Sequence, residues 1–331
     1  MGLSALLGTM QDALAAQQAG LDVTGQNVTN VNTPGYVERS AVLESGPGSD
    51  GGVNVAEIKR SFSAFTYSQV LVSHGQNTAA QALSSSLGEA QAVVAPQGGG
   101  AISDSMNAFF SSLQSLTASP SDPSVRSAVL ANATQLAQSF STTANGLAQQ
   151  QSSLYSQAQG DATQVNQDLS QIASLNAQIA QAQATGDNAP DLRDQRDSLV
   201  TTVADTMGAR VVPDPSGTIT LFAAGGVLVS GNKASSLGVS LDPSGAMKFT
   251  VSNPGGAPID VTSGVTDGTL GGLREARDVD VAQTATQLDQ LAYSFSNAVN
   301  AVQASGYGLD GVTGRPLFAP PATVAGAAAN M

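Results

Sequence analysis

Apolar residues in the first 36 positions recur at alternating spacings of three and four, and this periodicity constrains the fold more than any other feature. Leu3, Leu7, Met10, Leu14, Leu21, Val28 and Val31 fall on one stripe, with Gln17 and Thr24 filling its two remaining places. A helix that keeps a 3.5-residue period buries a narrow seam against another helix. The stripe stops at Asn30-Val31-Asn32-Thr33-Pro34-Gly35-Tyr36, where Pro34 cannot continue a helix and Gly35 permits positive φ. Nothing adjacent in sequence supplies the mate of this rod. A chain that opens this way reads as a subunit of an assembly before it reads as an enzyme.

Composition narrows the classes further. Hydrophobic residues make up 41% of the 331-residue chain, but aromatics only 4%, and much of the apolar content is alanine. That mixture suits close helix–helix contact better than a thick globular interior. Charged residues are 11%, the net charge is −13, and the only lysines are Lys59, Lys233 and Lys248. Nucleic acid and anionic membrane surfaces are therefore poor partners, and no membrane insertion is expected, because no apolar run approaches the ~20 residues of a span. The absence of cysteine excludes thiolate metal sites, disulfides and cysteine nucleophiles. The N-terminus is also a poor secretory signal, since the first cation is Arg39 and Gln11-Asp12 interrupt the apolar stretch.

Along the chain, 37–60 reads as extended or irregular, with glycine, serine and aspartate at 45–52. A second helix begins near Ser61, uses Phe62, Phe65, Val72, Leu83, Leu87 and Val94, and ends at Pro96-Gln97-Gly98-Gly99-Gly100. That glycine run lacks the Lys and Ser/Thr of a phosphate-binding loop and reads as a connector. Ile102, Met106, Phe109, Phe110, Leu113 and Leu116 form a short amphipathic helix. Asp122-Pro123 then caps a tract that runs to Ala184 without an internal proline, with Gly146 and Gly160 as places where it can kink. Thr185-Gly186-Asp187 breaks it. A shorter helix after Pro190 concentrates Asp191, Arg193, Asp194, Arg196 and Asp197.

Near Gly208 the period changes from 3.6 to 2. Asp214-Pro215-Ser216-Gly217 and Asp242-Pro243-Ser244-Gly245 are matched turn signals between β-favouring runs at 209–212, 218–222, 227–229, 239–241, 247–251 and 259–261. From Gly268 the helical period returns through Val281, Thr284, Leu288, Leu291, Phe295, Ala298 and Val302. The predicted fold is mainly α with a small antiparallel β module, a long-helix bundle into which β-hairpins are inserted. Its expected parts are an N-terminal axial helix and turn (1–45) disordered in the free monomer, a long-helix bundle (46–207), a β-hairpin module (208–266), a returning bundle helix (267–318) and a disordered tail (319–331).

These segments resemble the flagellar hook-associated protein 1 family. Leu21-x-x-Thr24-x-x-Asn27-Val28-x-Asn30-x-Asn32-Thr33-Pro34-Gly35-Tyr36 is similar to the signature shared by flagellar rod, hook and hook-associated proteins. Leu116–Leu130 resembles the family's helix–Pro-Ser-Asp–helix stretch, and Leu192-Arg193-Asp194-Gln195-Arg196-Asp197-x-Leu199-Val200 its Arg-Asp helix. Gly268-x-Leu270-Gly271-Gly272-Leu273-x-x-x-Arg277-Asp278 is similar to the start of its returning helix, which leads into Asn297-Ala298-Val299-Asn300, Gly306, Leu309-Asp310-Gly311, Gly314 and Phe318. The resemblance implies a non-enzymatic structural subunit of the hook–filament junction without cofactor or metal. It also implies an extracellular place in the bacterial flagellum, reached by type III export with no cleaved signal peptide. The implied partners are copies of the chain in a ring, hook protein below, the second junction protein above, and an export chaperone. Family members pair the N-terminal helix with a C-terminal one, and this sequence reaches Met331 before such a helix.

The implied assembly interface is Leu3, Leu7, Met10, Leu14, Leu21, Thr24, Asn27, Val28, Asn30, Val31, Asn32, Pro34, Gly35 and Tyr36. Asn27, Asn30 and Asn32 read from the residues alone as caps and turn formers. Another axial protein of hook or rod is the nearest alternative, and a coiled-coil surface adhesin or stalk lies further off. His74, the sole histidine, reads as an exposed side chain. The Asp191–Asp197 cluster reads as ion pairs, because interleaved Arg193 and Arg196 would depress the pKa that a general acid needs raised.

Overall fold

The computed structural model describes residues 3–33, 35–46, 52–96, 101–308 and 310–331, with the side chains of 4 and 5 set aside. Pro34, the glycine run at 97–100 and Leu309 lie outside the described residues, as does most of the glycine-rich stretch at 45–52. The chain forms two compact units. The first runs up to Ala79 and resumes over Gln159–Gly271, and the second comprises Ala80–Ala158 and Gly272–Met331. The architecture is helix-rich with small antiparallel sheets, as the periodicities predict.

In the first unit, α1 (Leu3–Thr29) is followed by an antiparallel hairpin of β1 (Arg39–Ser45) and β2 (Val53–Arg60), with a bulge between Val42 and Leu43. The sequence predicts only extended chain there. Helix α1 packs on both strands of the hairpin. The physical reason is a second line of contact on the helix, where Ala16 and Val23 are buried.

Helix α2 (Ala64–Val94) starts in this unit, and α4 (Pro123–Ala184) ends in it; α4 is continuous through Gly146 and Gly160. Helix α5 (Pro190–Met207) follows. The two Asp-Pro-Ser-Gly turns form as read. In each, the aspartate Oδ1 accepts from the serine backbone N–H and Oγ, and glycine closes the turn at positive φ. They sit between β3 (Arg210–Pro213) and β4 (Ile219–Ala223), and between the later strands β7 (Ser236–Leu241) and β8 (Met247–Ser252). With β5 (Gly226–Ser230), β6 (Lys233–Ala234) and β9 (Ile259–Asp260), these strands make sheets ordered β3-β4-β5-β6 and β7-β8-β9. Asn176 on α4 holds the first sheet, donating from Nδ2 to the Ile219 and Gly231 carbonyls and accepting from the Ile219 amide. Asn166 does the same for Leu237 of β7.

In the second unit, α3 (Ile102–Ala118) and the first part of α4 share a core with α7 (Ala282–Ser305), the returning helix. Phe109, Leu136, Phe140 and Leu147 are fully buried there, and Phe109, Phe110, Phe295 and Phe318 pack ring against ring. Between α6 (Gly268–Glu275) and α7, residues Ala276–Val281 form a π-turn. It brings Arg277 against Tyr155, with Arg277 Nε donating to the Gln151 carbonyl. Residues 319–331, expected to be disordered, are described with Ala327 and Ala328 buried, and the Gly326 and Ala328 amides donate to the Asp289 carboxylate. Small residues let this stretch approach α7 closely. No helix among the described residues is long and apolar enough to cross a membrane.

Candidate assembly interface

The apolar stripe read from the sequence is the exposed face of α1. Leu14 and Leu21 are 70% and 72% exposed, and Leu3, Leu7, Met10, Val28 and Val31 are exposed as well. A helix turns about 100° per residue, so Ala16, Val23 and Asn27 lie about 150° round the axis from Leu7, Leu14 and Leu21. One line therefore attaches the helix to its own hairpin, and the other meets solvent.

The end of α1 is tied down by side chains. Asn27 Nδ2 donates to the Arg39 carbonyl at 2.8 Å, while its Oδ1 accepts from Tyr36 Oη at 2.8 Å and from the Arg39 amide at 3.0 Å. Asn27 and Tyr36 thus hold β1 to α1 and are not part of the free face. Asn30 Nδ2 donates to the Gln26 carbonyl and its Oδ1 accepts from Thr33 Oγ1, a turn role as predicted. Thr24 Oγ1 donates back to the Gly20 carbonyl, and Thr24 and Asn32 are exposed. Gly35 has φ +81°, and a Cβ there would stand 3.3 Å from Ser198 Cβ, so both conformation and contact favour glycine.

Below this turn lies an ion-pair network that the sequence reading did not assemble. The guanidinium of Arg39, at the start of β1, reaches Asp191 at 2.7 Å and also Asp194 on α5. Arg60, at the end of β2, reaches Asp194 at 2.6 Å and Asp197 at 2.8 Å. Burial works against the charge on Arg39, yet the hydrogen bonds and charges of Asp194 and Asp191 push its pKa up. The expected pairing of these acids with interleaved Arg193 and Arg196 holds only for Arg196, which meets Asp197 at 3.2 Å. Arg193 donates instead to neutral oxygens, the Asn188 carbonyl and Gln183 Oε1. Arg193 is one residue from Asp194 and four from Asp197, but the hairpin arginines engage both carboxylates. Tyr67 Oη donates to the Asp197 carbonyl, and burial pushes its phenol well above the ordinary range. His74 lies half exposed, with Nδ1 2.9 Å from Asp205 Oδ1. No metal-binding cluster of His, Cys, Asp or Glu occurs among the described residues.

Comparison with known proteins agrees with this arrangement. A profile described as the flagellar hook-associated protein FlgK helical domain matches residues 66–318, and one described as flagella basal body rod protein matches residues 7–36. The flagellar hook-associated protein 1 of Salmonella typhimurium is 31% identical over 329 residues, covering 96% of this chain and 59% of that protein. Its namesake in Bacillus subtilis is 28% identical, covering 94% of this chain and 69% of its own length. The chain spans about three fifths of the length of the Salmonella relative. Among solved structures, the flagellar hook junction protein FlgK from Burkholderia pseudomallei superposes with a TM-score of 0.68 at 29% identity, over 78% of this chain and 46% of that one. The rod-type match spans the α1 seam and its turn, while the helical-domain match runs from α2 to Phe318, and on that second match the chain belongs to the FlgK, or flagellar hook-associated protein 1, family.

Proposed function

We propose that this chain is a structural subunit of the bacterial flagellum at the hook–filament junction, working by geometry and not by catalysis. Its place is outside the cell, reached by type III export without a cleaved signal peptide. The partners we assign are further copies of itself in a ring, hook protein on one side, the second junction protein on the other, and a chaperone during export.

A single observation carries the reading: α1 turns its apolar stripe to solvent while its small-residue line holds it to the hairpin. Full burial of a leucine is worth about 1.5–3 kcal/mol. Closing another helix over Leu7, Leu14 and Leu21 therefore contributes several kcal/mol to association that the isolated chain leaves unused. The assembly surface is Leu3, Leu7, Met10, Leu14, Leu21, Val28 and Val31, with Thr24 and Asn32 beside it.

The test replaces Leu14 and Leu21 by glutamate in the full-length protein, expressed in a strain lacking its junction protein. The expected outcome is export of the variant, normal helicity of the purified chain, and filaments shed into the medium. Firmly anchored filaments would refute the proposal. So would unfolding of the purified variant, because the seam would then have a partner within its own chain.

A further inference from the structure

Arg39 and Arg60 of the hairpin join Arg193 and Arg196 of α5 around three carboxylates, Asp191, Asp194 and Asp197, which leaves one cation in excess. Asp194 is shared between Arg39 and Arg60, and Asp197 between Arg60 and Arg196. Arg193 stands among these cations with no carboxylate at ion-pair distance among the described residues, and its two hydrogen bonds go to neutral oxygens. Burial, then the charges of Arg196 and Arg60, hold its pKa below the ordinary guanidinium value. Arg60 is nine-tenths buried beside it, and its Nε is enclosed by protein with no hydrogen-bond partner. Phe62 covers one face of that guanidinium, with 5.0 Å from its ring centroid to the guanidinium carbon, but stacking leaves an in-plane N–H donor unused.

Both arginines border empty space. A cavity of about 240 Å³ is lined by Arg60, Arg193 and Arg196, by Phe62, Pro213 and Ile219, and by Asp197, whose carboxylate is paired with Arg60 and Arg196. A second cavity of about 190 Å³ shares Arg60, Phe62 and Arg193 and adds Lys59 and Pro190. Asp214 also borders the larger cavity, but its carboxylate is engaged by Ser216 of its own turn. Guanidinium groups beside an apolar wall suit a planar anion with a hydrocarbon body, since a carboxylate takes two parallel N–H donors. Each cavity alone is smaller than the roughly 300–1,000 Å³ of ordinary small-molecule pockets. It admits a group the size of a side chain and not a nucleotide.

We propose that these adjoining cavities form a receptor for a carboxylate on a short aliphatic stem. The anion is held by Arg193, and the stem lies on Phe62, Pro213 and Ile219. Such a group can be a free dicarboxylic acid or a glutamate side chain of another protein. The site stands apart from the α1 seam, so neither proposal fails with the other.

The test titrates the folded chain with glutarate and with its neutral analogue glutaramide. A parallel pair uses a capped pentapeptide with central glutamate and its glutamine counterpart, and binding is followed through arginine Nε–H NMR resonances. Saturable binding of the carboxylate forms alone is expected, weakened about tenfold or more by Arg193→Gln. Binding of glutarate alone assigns a free acid, and binding of the glutamate peptide assigns a protein side chain. A second variant, Ala64→Glu, places a carboxylate at the cavity edge from the exposed first turn of α2, where acids are favoured. It should abolish binding while every arginine stays in place, and it decides the matter if Arg193→Gln loses its fold. Equal binding of acid and amide, no binding of any probe, or unchanged binding in the variants would overturn the proposal.

Discussion

Asp191 and Asp194 give a controlled comparison, because both pair with Arg39 from the same helix and differ mainly in burial. The Asp194 side chain is 12% exposed and lies between Arg39 at 5% and Arg60 at 10%, whereas Asp191 is 78% exposed. Removing one member of a buried ion pair costs about 3–5 kcal/mol, because the remaining charge is left desolvated. In Asp194→Asn each guanidinium keeps one other partner, Asp191 for Arg39 and Asp197 for Arg60, so the expected cost is about 2–4 kcal/mol. That is roughly a 30- to 1,000-fold rise in the equilibrium for releasing the hairpin from α5. Asp191→Asn removes a surface pair worth at most about 1 kcal/mol, or roughly fivefold. Native-state hydrogen exchange at the amides of β1 and β2 reads both directly. Exchange along α1 should rise in step in Asp194→Asn, because Asn27 binds the backbone of Arg39. Added salt should erase the Asp191 effect and leave most of the Asp194 effect. Equal loss of protection in the two variants would refute the argument that burial sets the strength of this clasp.

Two further outcomes are expected. Gly268 has φ +72°, and a Cβ there would stand 2.4 Å from the backbone of Thr206 and Met207, so Gly268→Ala should cost more than about 3 kcal/mol. Gly225→Ala, at φ +81° with open space around it, should cost only about 1 kcal/mol, and matching urea midpoints for the two would count against backbone overlap as the cause. Burial pushes the carboxyls of Asp161 and Asp168 up, so their folded forms hold protons more tightly than the unfolded chain does. Their charge therefore costs stability at neutral pH, and that cost is relieved as pH falls toward the ordinary 3.8. Asp161→Asn should stabilise the chain at neutral pH by an amount that vanishes on acidification, and a gain that grows on acidification would refute this sign.

The sequence made the regular elements legible where one period dominated. Helices α2, α4 and α7 repeat apolar residues at helical spacing, and β3–β4 and β7–β8 are bracketed by Asp-Pro-Ser-Gly turns whose hydrogen bonds are local. Strand β6 is two residues long and leaves no alternation to read. The hairpin β1–β2 is hard to read because its strands are half exposed without a clean alternation, even though Pro47-Gly48 and Asp50-Gly51 between them are turn signals. The ion network was less legible still, since Arg39 meets Asp194 across 155 positions and no periodicity spans that distance. One signal was available. In a chain with 11% charged residues, a helix holding Asp191, Asp194 and Asp197 has more acid than its own arginines can satisfy, which points to cations from elsewhere.

The stripe calls for a second helix from this chain or a neighbour, and in the structure it is exposed while α1 is attached to the hairpin along another line. An amphipathic pattern scores one face, and it overlooks a line made of Ala16, Val23 and Asn27, which is neither strongly apolar nor periodic over its whole length. Small residues let α1 lie close to the hairpin, and Asn27 replaces three water hydrogen bonds with three to Arg39 and Tyr36. Each such bond contributes only about 1 kcal/mol net, but they act where the backbone is already turning. The helix can therefore be attached through its weaker line while its stronger line stays free. A subunit needs that division, because a leucine seam buried against its own chain would offer a neighbour nothing to close over.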